Sequence, residues 1–213
     1  MTETSGTVVA LAPEDHVRAV AEAPHLLTSC DKPCPGNEVK IIDDNGKALA
    51  PNQTGEICLR SASNMLGYFK RPEATASTLQ DGWVLTGDAG FMDEAGYLYL
   101  RDRIKDMVVS GGENIYPVEV ENVLAAIPGV VEVAVIGVPD ETFGEALLAI
   151  FAMKPGHSID TEAMVAFCRD KLAGYKIPRR LECVDALPRN PSGKILKTVL
   201  REPHWQGIDR RIS

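Results

Sequence analysis

Apolar residues follow two different rhythms along the chain. Between residues 36 and 101 they come in short runs with partial period-two alternation, at 39–42, Gly55–Arg60 and 97–100. Turn-forming clusters separate these runs: Pro35-Gly36, Asp44-Asn45-Gly46, Pro51-Asn52, Asp81-Gly82 and Glu94-Ala95-Gly96. Such a pattern predicts strands of a small antiparallel barrel or meander. From residue 115 onward the rhythm becomes α/β. Pro117 opens a helix with Val120, Val123, Leu124 and Ile127 on one face and Pro128-Gly129 at its end. Glu119 and Glu121, near its positive end, read as solvated. Strands are predicted at 130–138, where Val131, Val133 and Val135 alternate, and at 146–153. A helix over 161–172 turns Met164, Phe167, Cys168 and Leu172 inward and stops at Gly174; a short strand follows at 181–184. Near the start, 17–23 predicts two helical turns whose packing partners are partly unsupported within 1–35. The fold class expected is α+β, a small antiparallel β-barrel or meander subdomain followed by an α/β domain, divided as 1–103 and 104–213 with the β-subdomain at 36–101.

The two rhythms meet in Arg101-Asp102-Arg103-Ile104-Lys105-Asp106-Met107-Val108-Val109-Ser110-Gly111-Gly112-Glu113-Asn114. Charged residues, a β-branched run and a glycine pair lie together here, as in a joint between lobes. Taken alone, the stretch also reads as a β-hairpin with solvated charges at its tip, the usual chemistry of loops.

Composition narrows the function classes. The chain has 213 residues, 45% hydrophobic and 24% charged, which is the balance of a soluble globular protein. A net charge of −8 without a basic stripe argues against nucleic acid as a partner. Apolar runs are far shorter than the roughly 20 residues of a membrane span, and no basic-then-apolar signal segment opens the chain. The expected compartment is the cytoplasm. Cys30, Cys34, Cys58, Cys168 and Cys183 are scattered, which supports neither a disulfide framework nor a zinc site; Cys168 and Cys183 read as small buried hydrophobes. His16, His25, His157 and His204 show no metal or triad spacing.

Four segments give the chemistry: Thr2-Glu3, Trp83-Val84-Leu85-Thr86-Gly87-Asp88, the joint, and Leu187-Pro188-Arg189-Asn190-Pro191-Ser192-Gly193-Lys194. In this order they make the whole chain resemble the C-terminal part of the adenylate-forming superfamily of acyl-CoA synthetases, firefly-type luciferases and peptide-synthetase adenylation domains. The Gly111-Gly112-Glu113-Asn114-Ile115-Tyr116-Pro117 version is most similar to bacterial fatty-acyl-CoA synthetases, with most of the large N-terminal domain lying outside the chain.

The resemblance implies a role for each motif. Asp88, read as sitting on a tight turn after a strand, would accept hydrogen bonds from both ribose hydroxyls of an adenosine; without the resemblance it is a plain turn former. Arg103 would be the second ribose contact, its fixed fork of donors suiting paired oxygens. Thr2 would contact the α-phosphate and Glu3 would help hold Mg²⁺. Lys105 occupies the hinge position about which a mobile C-terminal domain turns, and Gly111 and Gly112 would leave room for the pantetheine arm of coenzyme A. Lys194, at the tip of a turn stiffened by Pro191 and opened by Gly193, would be the catalytic lysine bridging the acid carboxylate and the α-phosphate. The segment 65–75 matches a family motif of mainly structural role. Asp31 stands where the pattern Ser-x-Gly-x-Pro has glycine, a departure in the local turn.

The implied reaction uses a carboxylic acid, medium- or long-chain fatty, with ATP, Mg²⁺ and coenzyme A. The family's phosphate-binding loop has no counterpart in these residues, so little ligase activity is expected of the chain alone. Two further readings remain: an adenylation domain serving a carrier protein, and a non-catalytic module pairing with a separate N-terminal half. An enzyme of lipid substrates is also compatible with peripheral attachment to a membrane.

Overall fold

The computed structural model describes residues 1–207. The chain forms two compact units, Met1–Ile104 and Lys105–Ser213. Among the described residues no helix is long and apolar enough to cross a membrane.

In the first unit, strands β1 (Val9–Ala10) and β2 (Lys32–Pro33) pair with each other, and helix α1 (Pro13–Ala21) lies between them in sequence. A curled antiparallel sheet follows, built from β3 (Glu38–Ile42), β4 (Gly55–Arg60), β5 (Leu79–Gln80), β6 (Trp83–Met92) and β7 (Leu98–Arg103), with helix α2 (Pro72–Thr78) inserted before β5. The strand order is β3-β4-β6-β5, with β7 also on β6. Ile41, Ile57, Leu59 and Leu98 form its core with Val8. The alternating runs at 39–42 and Gly55–Arg60 become strands because one set of side chains enters this core.

Helix α1 begins ahead of the expected 17–23, at Pro13, whose fixed φ suits the first helical position, with Glu14 and Asp15 in the first turn. The earlier start decides which face is inside. Ala19 packs with Leu26 and Tyr97, whereas Val17 and Val20 stand outside at 72% and 76% exposure. The Tyr97 hydroxyl donates to Asp15 Oδ1 at 2.7 Å and accepts from Arg18 Nη2 at 2.6 Å, which ties the helix to the sheet.

The second unit contains β8 (Val108–Ser110), β9 (Glu113–Ile115), α3 (Pro117–Leu124), β10 (Val130–Asp140), β11 (Gly144–Met153), α4 (Thr161–Cys168), β12 (Arg180–Val184) and α5 (Lys197–Arg201). The long β10–β11 hairpin is its spine; β8 joins β11 antiparallel, β9 joins β8, and β12 runs parallel to β11. Val133, Val135, Leu147, Ala149 and Phe151 face α3 and α4, while Ala134, Ile136, Val138, Leu148 and Ile150 face Leu187, Ile195 and Leu200. Both faces are covered, which explains why the alternation gives way to continuous apolar runs.

Several local expectations change. Helix α4 ends at Cys168 rather than at residue 172, although Leu172 is still buried in the same core. Cys168 is fully buried, but Cys183 is exposed, on the strand β12 that pairs with β11 alone. Glu119 and Glu121 are not simply solvated. Glu119 receives Lys176 Nζ at 2.7 Å, and Glu121 receives Lys197 Nζ at 2.7 Å and the Val135 N–H at 2.7 Å.

Candidate functional site

Thr86-Gly87-Asp88 lies inside the ten-residue strand β6, not on a turn after a strand. The pairing of β4 with β6 passes from Glu56↔Ala89 to Cys58↔Leu85, so Thr86, Gly87 and Asp88 bulge opposite Ile57. Gly87 has φ 69°, a left-handed conformation that glycine adopts without Cβ strain. The bulge is closed by side chains. Thr86 Oγ1 donates to the Ile57 carbonyl at 2.8 Å and accepts the Asp88 N–H at 3.0 Å, and the Gly87 N–H donates to Glu56 Oε1 at 2.9 Å. This geometry sets Asp88 opposite Arg103 on β7, and Arg103 Nε donates to Asp88 Oδ1 at 2.8 Å.

Arg103 also lines a cleft of about 430 Å³ with Glu3, Tyr68, Thr78, Thr86 and Gly87. Glu3 belongs to a 3-10 turn, Thr2–Thr4, pinned to the loop beyond β4 by Met65 N–H to Glu3 O at 2.7 Å and Ser63 Oγ to Thr4 O at 2.7 Å. Its own backbone N–H and then the Tyr68 hydroxyl, donating to Oε1 at 2.8 Å, hold the Glu3 carboxyl below its ordinary range. Burial and Arg103 oppose and assist this, respectively, to a lesser degree. Thr2 is exposed beside it. Tyr68 is the residue that sequence reasoning missed: its motif was read as structural, yet its hydroxyl reaches a site carboxylate.

A metal ion would meet two carboxylates in this cleft, Glu3 and Glu56, and one oxygen of Glu56 already accepts the Gly87 N–H. Among the described residues no group of three or more His, Cys, Asp or Glu is placed to hold an ion. The hard oxygens of Glu3 are of the kind that hold Mg²⁺ at nucleotide sites, as one protein ligand beside phosphate oxygens and waters.

In the second unit, Gly111 and Gly112 connect β8 to β9 as a two-residue hairpin turn, with Ser110 opposite Glu113. Their φ values of 60° and 86° are both positive, as a type I′ turn requires. The joint thus contains a real hairpin, but Arg101, Asp102 and Arg103 lie on β7 and the tip is glycine. A Cβ on Gly111 would lie 3.2 Å from Phe143 Cδ1, whereas one on Gly112 would meet open space. Gly111 lines a pocket of about 280 Å³ with Phe143, Tyr175, Ile177, Arg179 and Arg180. The Arg179 guanidinium lies 5.2 Å from the Phe143 ring centre.

Lys194 is exposed on a second small hairpin, closed by an Arg189↔Ile195 bridge. Asn190 Oδ1 accepts N–H bonds from Ser192 at 3.0 Å and Lys194 at 2.9 Å, so the side chain replaces backbone partners and fixes the turn. Arg189 reaches the Gly193 carbonyl and Glu132 on β10. Lys105, in the 3-10 turn Ile104–Asp106, is exposed. The first unit thus gathers Glu3, Gly87, Asp88 and Arg103, and the second carries Lys105, the glycine turn and Lys194 on separate segments.

A curled antiparallel sheet bearing this acid–arginine pair, followed by an α/β unit with a lysine hairpin, is the architecture of adenylate-forming enzymes. Two family models match: AMP-binding enzyme over residues 1–69 and AMP-binding enzyme C-terminal domain over residues 119–194. The chain belongs to this family of AMP-forming ligases. It is 44% identical to a fatty acid–[acyl-carrier-protein] ligase of Streptomyces coeruleorubidus over 100% of the chain and 40% of that protein. It is 42% identical to a long-chain-fatty-acid–CoA ligase of Mycobacterium tuberculosis over 96% of the chain and 39% of that protein. The structure of o-succinylbenzoate CoA synthetase from Bacillus subtilis with its acyl-adenylate intermediate superposes with a TM-score of 0.84 at 37% identity, over 99% of this chain and 40% of that one. The same synthetase has been solved with ATP and magnesium ion. The chain therefore spans about 40% of the length of these relatives.

Proposed function

We propose that this chain supplies the ribose contacts, hinge and catalytic lysine of an acid–thiol ligase that activates a carboxylic acid with ATP and transfers the acyl group to coenzyme A. The observation that carries the reading is the Asp88–Arg103 pair at 2.8 Å, set by a side-chain-closed bulge, with Arg103 lining the cleft that holds Glu3. In the first half-reaction the acid and ATP give an acyl-adenylate and pyrophosphate; in the second the thiol displaces AMP. Asp88 accepts from the ribose hydroxyls, with Arg103 orienting its carboxylate and donating beside it. Thr2, exposed at the first turn, contacts the α-phosphate. Glu3 holds Mg²⁺, which when bound neutralises phosphate charge.

Lys194 brings a point charge to the oxygens that become negative as the adenylate forms, an effect worth about 2–4 kcal/mol for one well-aimed donor. The turn at Gly111 and Gly112, beside an apolar pocket edged by Arg179 and Arg180, suits an apolar arm ending in phosphates. Turning about Lys105 would exchange Lys194 for this loop between the two steps. A fatty acid is the substrate class, and the Mycobacterium tuberculosis relative supports its long-chain form. The Streptomyces relative supports a second reading, in which the acceptor is the thiol of an acyl carrier protein.

The test is equilibrium binding of a non-hydrolysable acyl-adenylate mimic to the purified chain, with Asp88→Ala as control. Binding lost in the control supports the adenosine site. Equal binding by both proteins would overturn the assignment of Asp88.

A further inference from the structure

We infer that Asp106 and Arg201 set the downstream edge of the pivot, making Arg201 a positioning residue for Lys194. The inference rests on the reading of Lys105 as the hinge. Asp106 is the next residue, and its Oδ1 accepts from Arg201 Nη2 at 2.5 Å. Both side chains are largely buried, at 15% and 9% exposure. Arg201 closes α5, the helix that follows the Lys194 hairpin.

The same segment is held to the second unit at three other places. Arg189, before Lys194, pairs with Glu132 on β10. Lys197, after it, pairs with Glu121 on α3 at 2.7 Å. Trp205 Nε1 donates to the Gly137 carbonyl on β10 at 3.0 Å. These contacts fix the lysine hairpin to the body of the unit, and the Asp106–Arg201 pair adds the end of the pivot to that body. The β8 strand joins the long hairpin only further on, where Ser110 pairs with Gly144. A torsional change at Lys105 therefore leaves the pair intact, whereas one spread past Asp106 must pull a buried carboxylate from a buried guanidinium. Removing one member of such a pair strands the other charge, which is far costlier than never having buried either.

Arg201 Nε is buried without a hydrogen-bond partner among the described residues. Rotation confined to one residue carries Lys194 as a rigid body, and so returns its ammonium to one place.

Trypsin cleavage after the exposed Lys105 reads the local opening once each rate is divided by that of a short peptide of the same sequence, because Asp106 itself follows the scissile bond and a protease needs several residues of extended, unclamped chain. The full chain and its Asp106→Asn, Arg201→Met, Arg201→Lys and double Asp106→Asn/Arg201→Met variants are compared, with hydrogen exchange of β10 and β11 followed in parallel. The expected result is cleavage about tenfold faster in either single removal, no faster again in the double variant, and nearer the unaltered rate in Arg201→Lys, while β10 and β11 keep their protection. Unchanged cleavage would overturn the inference. So would additive effects in the double variant, or an equal loss of protection throughout β10 and β11, which would make the pair a general stabiliser. Neither readout uses nucleotide or acid, so this result and the outcome of the mimic-binding test stand apart.

Discussion

Asp88 and Arg103 face each other across neighbouring antiparallel strands, carboxylate oxygen to guanidinium nitrogen at 2.8 Å, because three residues of β6 bulge opposite one of β4. The conformation of Gly87 makes this possible. Alanine there would meet only Arg103 Nη1, at 3.9 Å, so its cost is conformational rather than steric. Gly87→Ala is expected to lower unfolding free energy by about 1–2 kcal/mol and to weaken the acyl-adenylate mimic as Asp88→Ala does. Urea denaturation and the mimic titration check the two effects; intact binding in a destabilised variant would separate the bulge from the ribose contact.

Lys194 behaves oppositely. It is exposed on a turn held by Asn190, so Lys194→Ala is expected to change unfolding free energy by less than about 0.5 kcal/mol. Asn190→Ala removes the acceptor of three bonds and is expected to cost about 1 kcal/mol. Paired denaturation curves decide this, and a larger loss in Lys194→Ala would mean that the lysine has a structural role.

Asp31 stands where its local pattern has glycine, and its backbone takes the left-handed conformation that glycine favours. Its φ is 80°, and its carboxylate accepts the Ala12 N–H at 2.9 Å and its neighbour Lys32 N–H. Asp31→Ala loses these bonds and keeps the strained backbone, an expected cost of about 2–3 kcal/mol; Asp31→Gly relieves the strain and should cost about 1 kcal/mol. Thermal or urea unfolding of the two variants gives the order, and alanine no worse than glycine would show that the side-chain bonds are not what holds this turn.

The Glu3–Tyr68 contact predicts a dependence on pH. Backbone and Tyr68 donors lower the Glu3 pKa in the folded chain, so its contribution is fully present above the ordinary glutamate pKa. It is lost as pH falls through the lowered folded value. Tyr68→Phe removes one of the causes, so the variant should lose less stability than the unaltered chain between about pH 5 and pH 3. Parallel acid-titration curves of the two proteins would contradict this.

Thiol accessibility separates the five cysteines. Cys58 is fully buried, and burial, with Glu56 adding to it, pushes its thiol up to about 11. Burial likewise raises Cys168. Iodoacetamide at pH 8 should therefore label Cys30 and Cys183 first, Cys34 more slowly, and Cys58 and Cys168 only after unfolding. Mass mapping of a time course gives the order.

Period and turn chemistry by themselves determined the curled antiparallel sheet before residue 104, the α/β pattern after it, and the buried face of α3 at Val120 and Leu124, although α3 stops at Leu124 and Ile127 reaches the same core from the turn beyond it. They did so because a half-buried strand or helix must repeat its apolar positions at its own period. Gly111-Gly112 was legible for the same local reason, since few other residues enter a type I′ turn cheaply. Only tertiary structure decided the rest. The bulge at Thr86, Gly87 and Asp88 depends on the register with β4, which no single strand encodes. The burial of Glu121 and Arg201, and the exposure of Cys183, depend on which distant segment comes to lie against each. Tyr68 joined the site because the Thr2–Thr4 turn packs on the loop that carries it, a contact across 65 residues of sequence. Local propensity reports what each segment prefers; the partners of its polar groups are chosen when the chain closes on itself.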